Sequence, residues 1–106
     1  MDDKMAQLLV DRFTLAAFVE AVRLLDEGIA SAKDIDLAML AGAGNPKGPL
    51  ALADAQGLGV VLAKLEELAP KYGEAFAVPE RLRRMVAAGQ TGVRAKQGFF
   101  GYTGVS

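Results

Sequence analysis

The chain has 106 residues, 52% hydrophobic and 24% charged: enough for one domain with a real core, too few to join a dinucleotide-binding domain to a substrate domain. It contains no His and no Cys, which excludes an imidazole general base, a Ser-His or Cys-His pair, and a zinc site of the usual ligand type. A net charge of −1 and an aromatic content of 7% argue against a phosphate-gripping or base-stacking surface, and so against nucleic acid.

The amino terminus, Met1-Asp2-Asp3-Lys4, is acidic where a signal peptide starts basic, and no uninterrupted apolar run is longer than Leu15 to Val19. The expectation is a chain with no membrane span, working in the cytoplasm. A first helix is predicted from about Asp3 to Glu27, stopped by Gly28 at a left-handed C′ position. Ser31 with Asp34 resembles a capping box opening a second helix through about Ala41. Gly42 to Gly48 reads as a turn-rich loop, and Pro49 suits the first position of a third helix. Gly57 and Gly59 are expected to interrupt that helix. A longer one follows to about Tyr72, closed by Gly73, with Glu67 and Lys71 ordered as an i,i+4 pair. Pro79 and Glu80 open a last helix that Gly89 ends, with Glu80 placed to pair with Arg83 or Arg84. From Gly92 the tail loses helical period but carries Phe99, Phe100 and Tyr102, rings that would be an aggregation liability if left undocked. The fold class is all-α, a single domain of about five helices with an ordered C-terminal tail.

A wheel at about 100° per residue places Arg12, Glu20, Arg23, Asp26 and Glu27 of the first helix on its solvent face. Gln7, Asp11 and Thr14 fall on the opposite stripe, which continues as Phe18, Val22 and Leu25. A stripe that is polar first and apolar later has two explanations. Either the first half of the helix projects beyond the core, or it faces a cleft or second protein that also uses Met5, Leu8, Leu9 and Phe13.

Few motifs carry chemistry by themselves. Gly42-Ala43-Gly44 lacks the preceding strand and third glycine of a nucleotide fingerprint. Asp34 and Asp36 read as surface or capping residues, and Asp54 as an acid bonding the amides of the next helix start. Arg81, Arg83, Arg84, Arg94 and Lys96 form the one basic concentration, either a solvated helix face or an anion contact such as a cofactor phosphate or ribose. No metal site is expected.

Taken in order, Val10-Asp11-Arg12, Glu20 to Gly28, Asp34 to Met39, Gly48-Pro49-Leu50 with Asp54 and Gly57-Leu58, and Gly98-Phe99-Phe100-Gly101-Tyr102 resemble the C-terminal domain of the 3-hydroxyacyl-CoA dehydrogenase family. The resemblance runs from about Leu9 to Tyr102. It implies a helical domain that follows a Rossmann domain, mediates dimerisation and closes over an acyl-CoA. The family's enzymes oxidise 3-hydroxyacyl-CoA with NAD in fatty-acid β-oxidation, using a His-Glu pair and a dinucleotide fingerprint on the Rossmann domain. This chain has neither, so a Rossmann partner must supply the base and the NAD, and no cofactor is bound by this chain alone.

By resemblance, Asp11 stands where the family has an Asn near the catalytic His and the substrate oxygen; an ionised carboxylate only accepts hydrogen bonds, where an amide also donates. Asn45, Pro46, Lys47, Gly48 and Pro49 match the segment bordering the acyl pocket, and Arg94 matches a basic position near the cofactor's ribose. Lys96 stands where the family commonly has Gly, and Phe100 where it commonly has Tyr. Two expectations follow: part of an NAD-dependent dehydrogenase, inactive without its partner, or a non-catalytic dimerisation or acyl-CoA-binding module.

Overall fold

A computed structural model describes the backbone of residues 1–43 and 47–102, and the side chains of 1–40 and 47–102. The described elements are five α-helices, α1 (Asp3–Asp26), α2 (Ala32–Ala43), α3 (Pro49–Gln56), α4 (Leu58–Tyr72) and α5 (Glu80–Ala87), with 3-10 turns at Glu74–Phe76 and Val93–Ala95. No strand occurs among the described residues; Gly92, Gln97 and Gly101 form only isolated bridges within the tail.

Local chemistry sets most boundaries. The Asp2 carboxylate accepts from the Met5 amide at 2.7 Å and caps the start of α1. Gly28, at φ 73°, turns the chain where side chains resist the left-handed region. Ser31 Oγ accepts from the Asp34 amide at 3.1 Å, the expected cap of α2. Pro49 opens α3, Gly73 closes α4, and Gly89 follows α5 at φ 77°.

Four expectations need correction. Gly59 lies inside α4 and only Gly57 separates α3 from α4, because a single residue at φ 96° suffices for the break. The backbone of α2 continues to Ala43, through Gly42, since nothing before it stops the ladder. Glu80 forms no ion pair with Arg83 or Arg84 among the described residues: Arg83 reaches Glu66 at 3.3 Å, and Arg81 reaches Asp26 at 2.6 Å. Arg12 leaves the solvent face, its guanidinium lying 4.0 Å from the centre of the Tyr72 ring.

The core gathers Phe18, Val19 and Val22 of α1, Ile35 of α2, Leu50 and Ala53 of α3, Leu58, Val61 and Leu65 of α4, Phe76, and Leu82 of α5. Each lies on the inward face of its helix, and α1 forms the spine against which α2, α3 and the Glu74–Phe76 turn pack. Burial along α1 begins only at Leu15. Before it, Met5, Leu8, Leu9, Val10 and Phe13 are exposed, Phe13 at 76%. Twenty-four residues make a helix of about 36 Å, and its first half, Asp3 to Thr14, carries no fully buried side chain.

The tail docks as expected. Phe99 meets Phe18 edge-to-face at 5.7 Å, and Phe100 packs on the core. Its anchor is Asp54, which is 1% exposed. The Asp54 carboxylate accepts from the Phe99 amide at 3.0 Å, the Phe100 amide at 3.1 Å and the Tyr102 hydroxyl at 2.7 Å. Asp54 therefore bonds backbone amides as expected, but those of the distant tail instead of the next helix start. A Cβ on Gly98 would collide with the Asp54 carboxylate, so the tail turn requires a residue without a side chain there.

Candidate functional site

Three grooves receive the residues singled out in the sequence. The first, of about 240 Å³, lies between α1, α2 and α3 and is lined by Phe13, Thr14, Ala17, Met39, Lys47, Pro49 and Leu52. The second, about 120 Å³, lies between α1 and α4 and is lined by Leu8, Asp11, Arg12, Leu15, Lys64, Glu67 and Leu68. The third, about 420 Å³, holds Arg94 with Asp54, Gln56, Gly57, Val60 and Thr91 among its walls.

Asp11 thus looks toward α4. Its Oδ1 accepts from the Gln7 side-chain amide at 2.9 Å and lies 3.6 Å from Lys64 Nζ, both partners of this ion pair being partly exposed. Thr14, on the same polar stripe, donates its hydroxyl back to the Val10 carbonyl at 2.8 Å and sits in the first groove. The stripe therefore divides between two grooves. The sequence reading missed Lys64; its only signal is a cation set beside the apolar positions Val61, Leu65 and Leu68 of α4.

The segment after α2 is also divided. Asn45 and Pro46 lie outside the described residues. Lys47 and Pro49 line the first groove, whereas Gly48 is buried and borders a separate groove with Asp36, Leu40 and Ala51. What fixes Gly48 is Asp36, whose two carboxylate oxygens accept from the Leu50 amide at 2.9 Å and the Ala51 amide at 2.8 Å. These are first-turn donors of α3 that no carbonyl within the helix can satisfy. Asp36 is therefore a buried cap of a neighbouring helix, not a surface acid, and a Cβ on Gly48 would overlap its side chain. Asp34 does remain exposed.

Tyr102 closes the far side. Burial, then its hydrogen bond to Asp54, then the negative charges of Asp54 and Asp36 push its phenol well above its ordinary range. Its neutral form, a donor to a buried carboxylate, is the one the fold requires.

Residues 9–102 match the model of the 3-hydroxyacyl-CoA dehydrogenase C-terminal domain. The chain belongs to this family. Members similar to the domain include a 3-hydroxybutyryl-CoA dehydrogenase of Clostridioides difficile, 41% identical over 89% of this chain and 34% of its own length. The mitochondrial hydroxyacyl-coenzyme A dehydrogenase of Mus musculus is 36% identical, over 89% of this chain and 31% of its length. Among solved structures, the (S)-3-hydroxybutyryl-CoA dehydrogenase of Ralstonia eutropha superposes with a TM-score of 0.80 at 37% identity, covering 88% of this chain and 33% of that one. The domain spans about a third of the length of these relatives.

The groove around Arg94 does not fit a whole dinucleotide. Among the described residues its one cation, Arg94, is exposed, a carboxylate stands in its wall, and the Leu58 amide at the start of α4 is given to the Thr91 carbonyl at 2.9 Å. Among the described residues no helix is long and apolar enough to cross a membrane, and no cluster of metal-ligating side chains suits a metal ion.

Proposed function

We propose that this domain is the helical part of an NAD-dependent 3-hydroxyacyl-CoA dehydrogenase, in which a Rossmann domain, on the same polypeptide or a separate one, supplies the catalytic base and the dinucleotide. Residues 1–106 form one helical domain that gives a wall of the acyl-CoA cleft and a dimer contact, and it turns over no substrate alone. The observation that carries this reading is the exposed apolar surface of the first half of α1. Met5, Leu8, Leu9, Val10 and Phe13 are exposed there, and Phe13 leads directly into the 240 Å³ cleft. An apolar surface of this extent calls for cover, and a cleft at its edge is completed by whatever covers it.

In this reading Lys47, Gly48 and Pro49, with Asn45 and Pro46 before them, border the acyl chain, and Arg94 contributes to a ribose contact completed by the partner. Asp11 holds a partner's imidazole by accepting its N–H, with Lys64 offsetting the carboxylate's charge. A second reading, a non-catalytic dimerisation or acyl-CoA-binding module, is favoured by one residue: Asp11 in place of the amide that the family uses.

Gentle recovery of the protein from its source, followed by native mass spectrometry and an NADH-consumption assay with acetoacetyl-CoA, separates the two. A Rossmann-containing species with turnover that survives Asp11→Asn is the expected result. A homodimer of this chain alone, inert toward NADH, would establish the module instead.

A further inference from the structure

The cleft between α1, α2 and α3 has a chemical asymmetry that narrows its ligand. Phe13, Ala17, Met39, Pro49 and Leu52 make its walls apolar, leaving Thr14 and Lys47 as the polar side chains of the lining. Thr14 directs its hydroxyl to the Val10 carbonyl at 2.8 Å, so its hydrogen is committed within α1. Among the described residues Lys47 is then the side chain in the lining with hydrogens to give, and no acid lines the cleft to receive them. The nearby Asp36, which borders a shallower groove together with Lys47, has both oxygens engaged by the Leu50 and Ala51 amides.

We propose that this cleft receives an apolar chain ending in a carboxylate, and that Lys47 is the residue that recognises the carboxylate. The inference rests on the acyl-binding reading above and makes it specific: the substrate class is an ω-carboxylated acyl thioester. Size agrees. An apolar cavity of ~150 Å³ holds the six carbons of benzene, so 240 Å³ admits about nine non-hydrogen atoms, a six-carbon acyl group with its terminal carboxylate. Because Lys47 is exposed to solvent, the pairing is screened, and a gain in affinity of about fivefold is the scale to expect.

The test is an amide NMR titration of the whole chain with hexanoyl-CoA, adipoyl-CoA and free hexanoate, repeated on Lys47→Met, which keeps an unbranched apolar stem. Adipoyl-CoA is expected to bind about fivefold tighter than hexanoyl-CoA, with shifts centred on Phe13, Thr14, Ala17 and Leu52, and Lys47→Met to bring it to the hexanoyl-CoA level. Equal affinities for the two thioesters in the native chain would overturn the proposal while leaving the acyl-binding reading standing. An equal loss for both in Lys47→Met would also overturn it, assigning Lys47 to the phosphates of CoA. Free hexanoate binding as tightly as adipoyl-CoA, through Lys47, would overturn the thioester as the source of the carboxylate. Failure of both thioesters to bind would overturn the proposal that this cleft by itself holds the acyl group, while a cleft completed by a partner would still be open to the turnover assay above.

Discussion

Replacing Asp54 with Asn removes a charge while preserving shape, and it probes the contact that ties the tail to the helices. One carboxylate oxygen accepts from Phe99 N and the other from Phe100 N and Tyr102 Oη. An amide has one accepting oxygen, so whichever way the Asn side chain turns, its NH₂ group faces at least one backbone N–H. The better orientation keeps the oxygen on Phe100 and Tyr102 and leaves the Phe99 amide without an acceptor. An unsatisfied buried donor costs about 1–3 kcal/mol, and the two surviving bonds lose their charge assistance, so the expected loss is about 3 kcal/mol. For a domain near this size that corresponds to a fall in Tm of about 15 °C, against a total stability of about 5–10 kcal/mol, so the variant still folds. Urea denaturation followed by circular dichroism gives the loss, and hydrogen exchange at the Phe99 and Phe100 amides localises it. Tyr102→Phe is expected to cost about 1 kcal/mol, and the double variant to show coupling of similar size. A stability for Asp54→Asn within about 0.5 kcal/mol of the native chain, with tail amides equally protected, would refute the assignment of Asp54 as the tail's anchor.

Tyr102 offers a pH test: its phenol is raised in the fold, so the neutral form stabilises the native state fully below the unfolded value near 10, and that contribution is lost as pH climbs toward the folded value. In a Tyr72→Phe background, phenolate absorbance should therefore lag behind that of the urea-unfolded chain, and Asp54→Asn should shorten the lag; coincident folded and unfolded titrations would count against it. Lys96 sits at φ 63°, a left-handed position that costs a side-chain-bearing residue about 1 kcal/mol. Lys96→Gly should stabilise by about 0.5 kcal/mol after the added freedom of the unfolded chain is subtracted, and a lower urea midpoint would contradict this. Gly48→Ala should destabilise by about 1–3 kcal/mol, because the new Cβ meets the Asp36 side chain, and should move the Lys47 resonances; an unperturbed spectrum would show that Asp36 can give way.

How much of this was legible in the sequence follows from the range of the interactions involved. Capping at Ser31, the breaks at Gly28, Gly57, Gly73 and Gly89, the opening at Pro49 and the docking of an aromatic tail are decided by neighbours a few residues apart, or by the bare need to bury rings. The order of its short motifs carried the family, because their spacing reflects helices of set length. The site was less readable. Asp36 and Asp54 look like ordinary surface or capping acids until partners 14 and 45 residues away are brought to them. Arg12 turned from solvent onto Tyr72, and Lys64 became the partner of Asp11, only when α4 was laid beside α1. The sequence by itself determined the helices and their punctuation, since backbone propensity and hydrophobic period act over one or two turns. The tertiary structure alone decided which buried charges meet which orphan amides, because a carboxylate's partner is chosen by packing across helices and leaves no local signature.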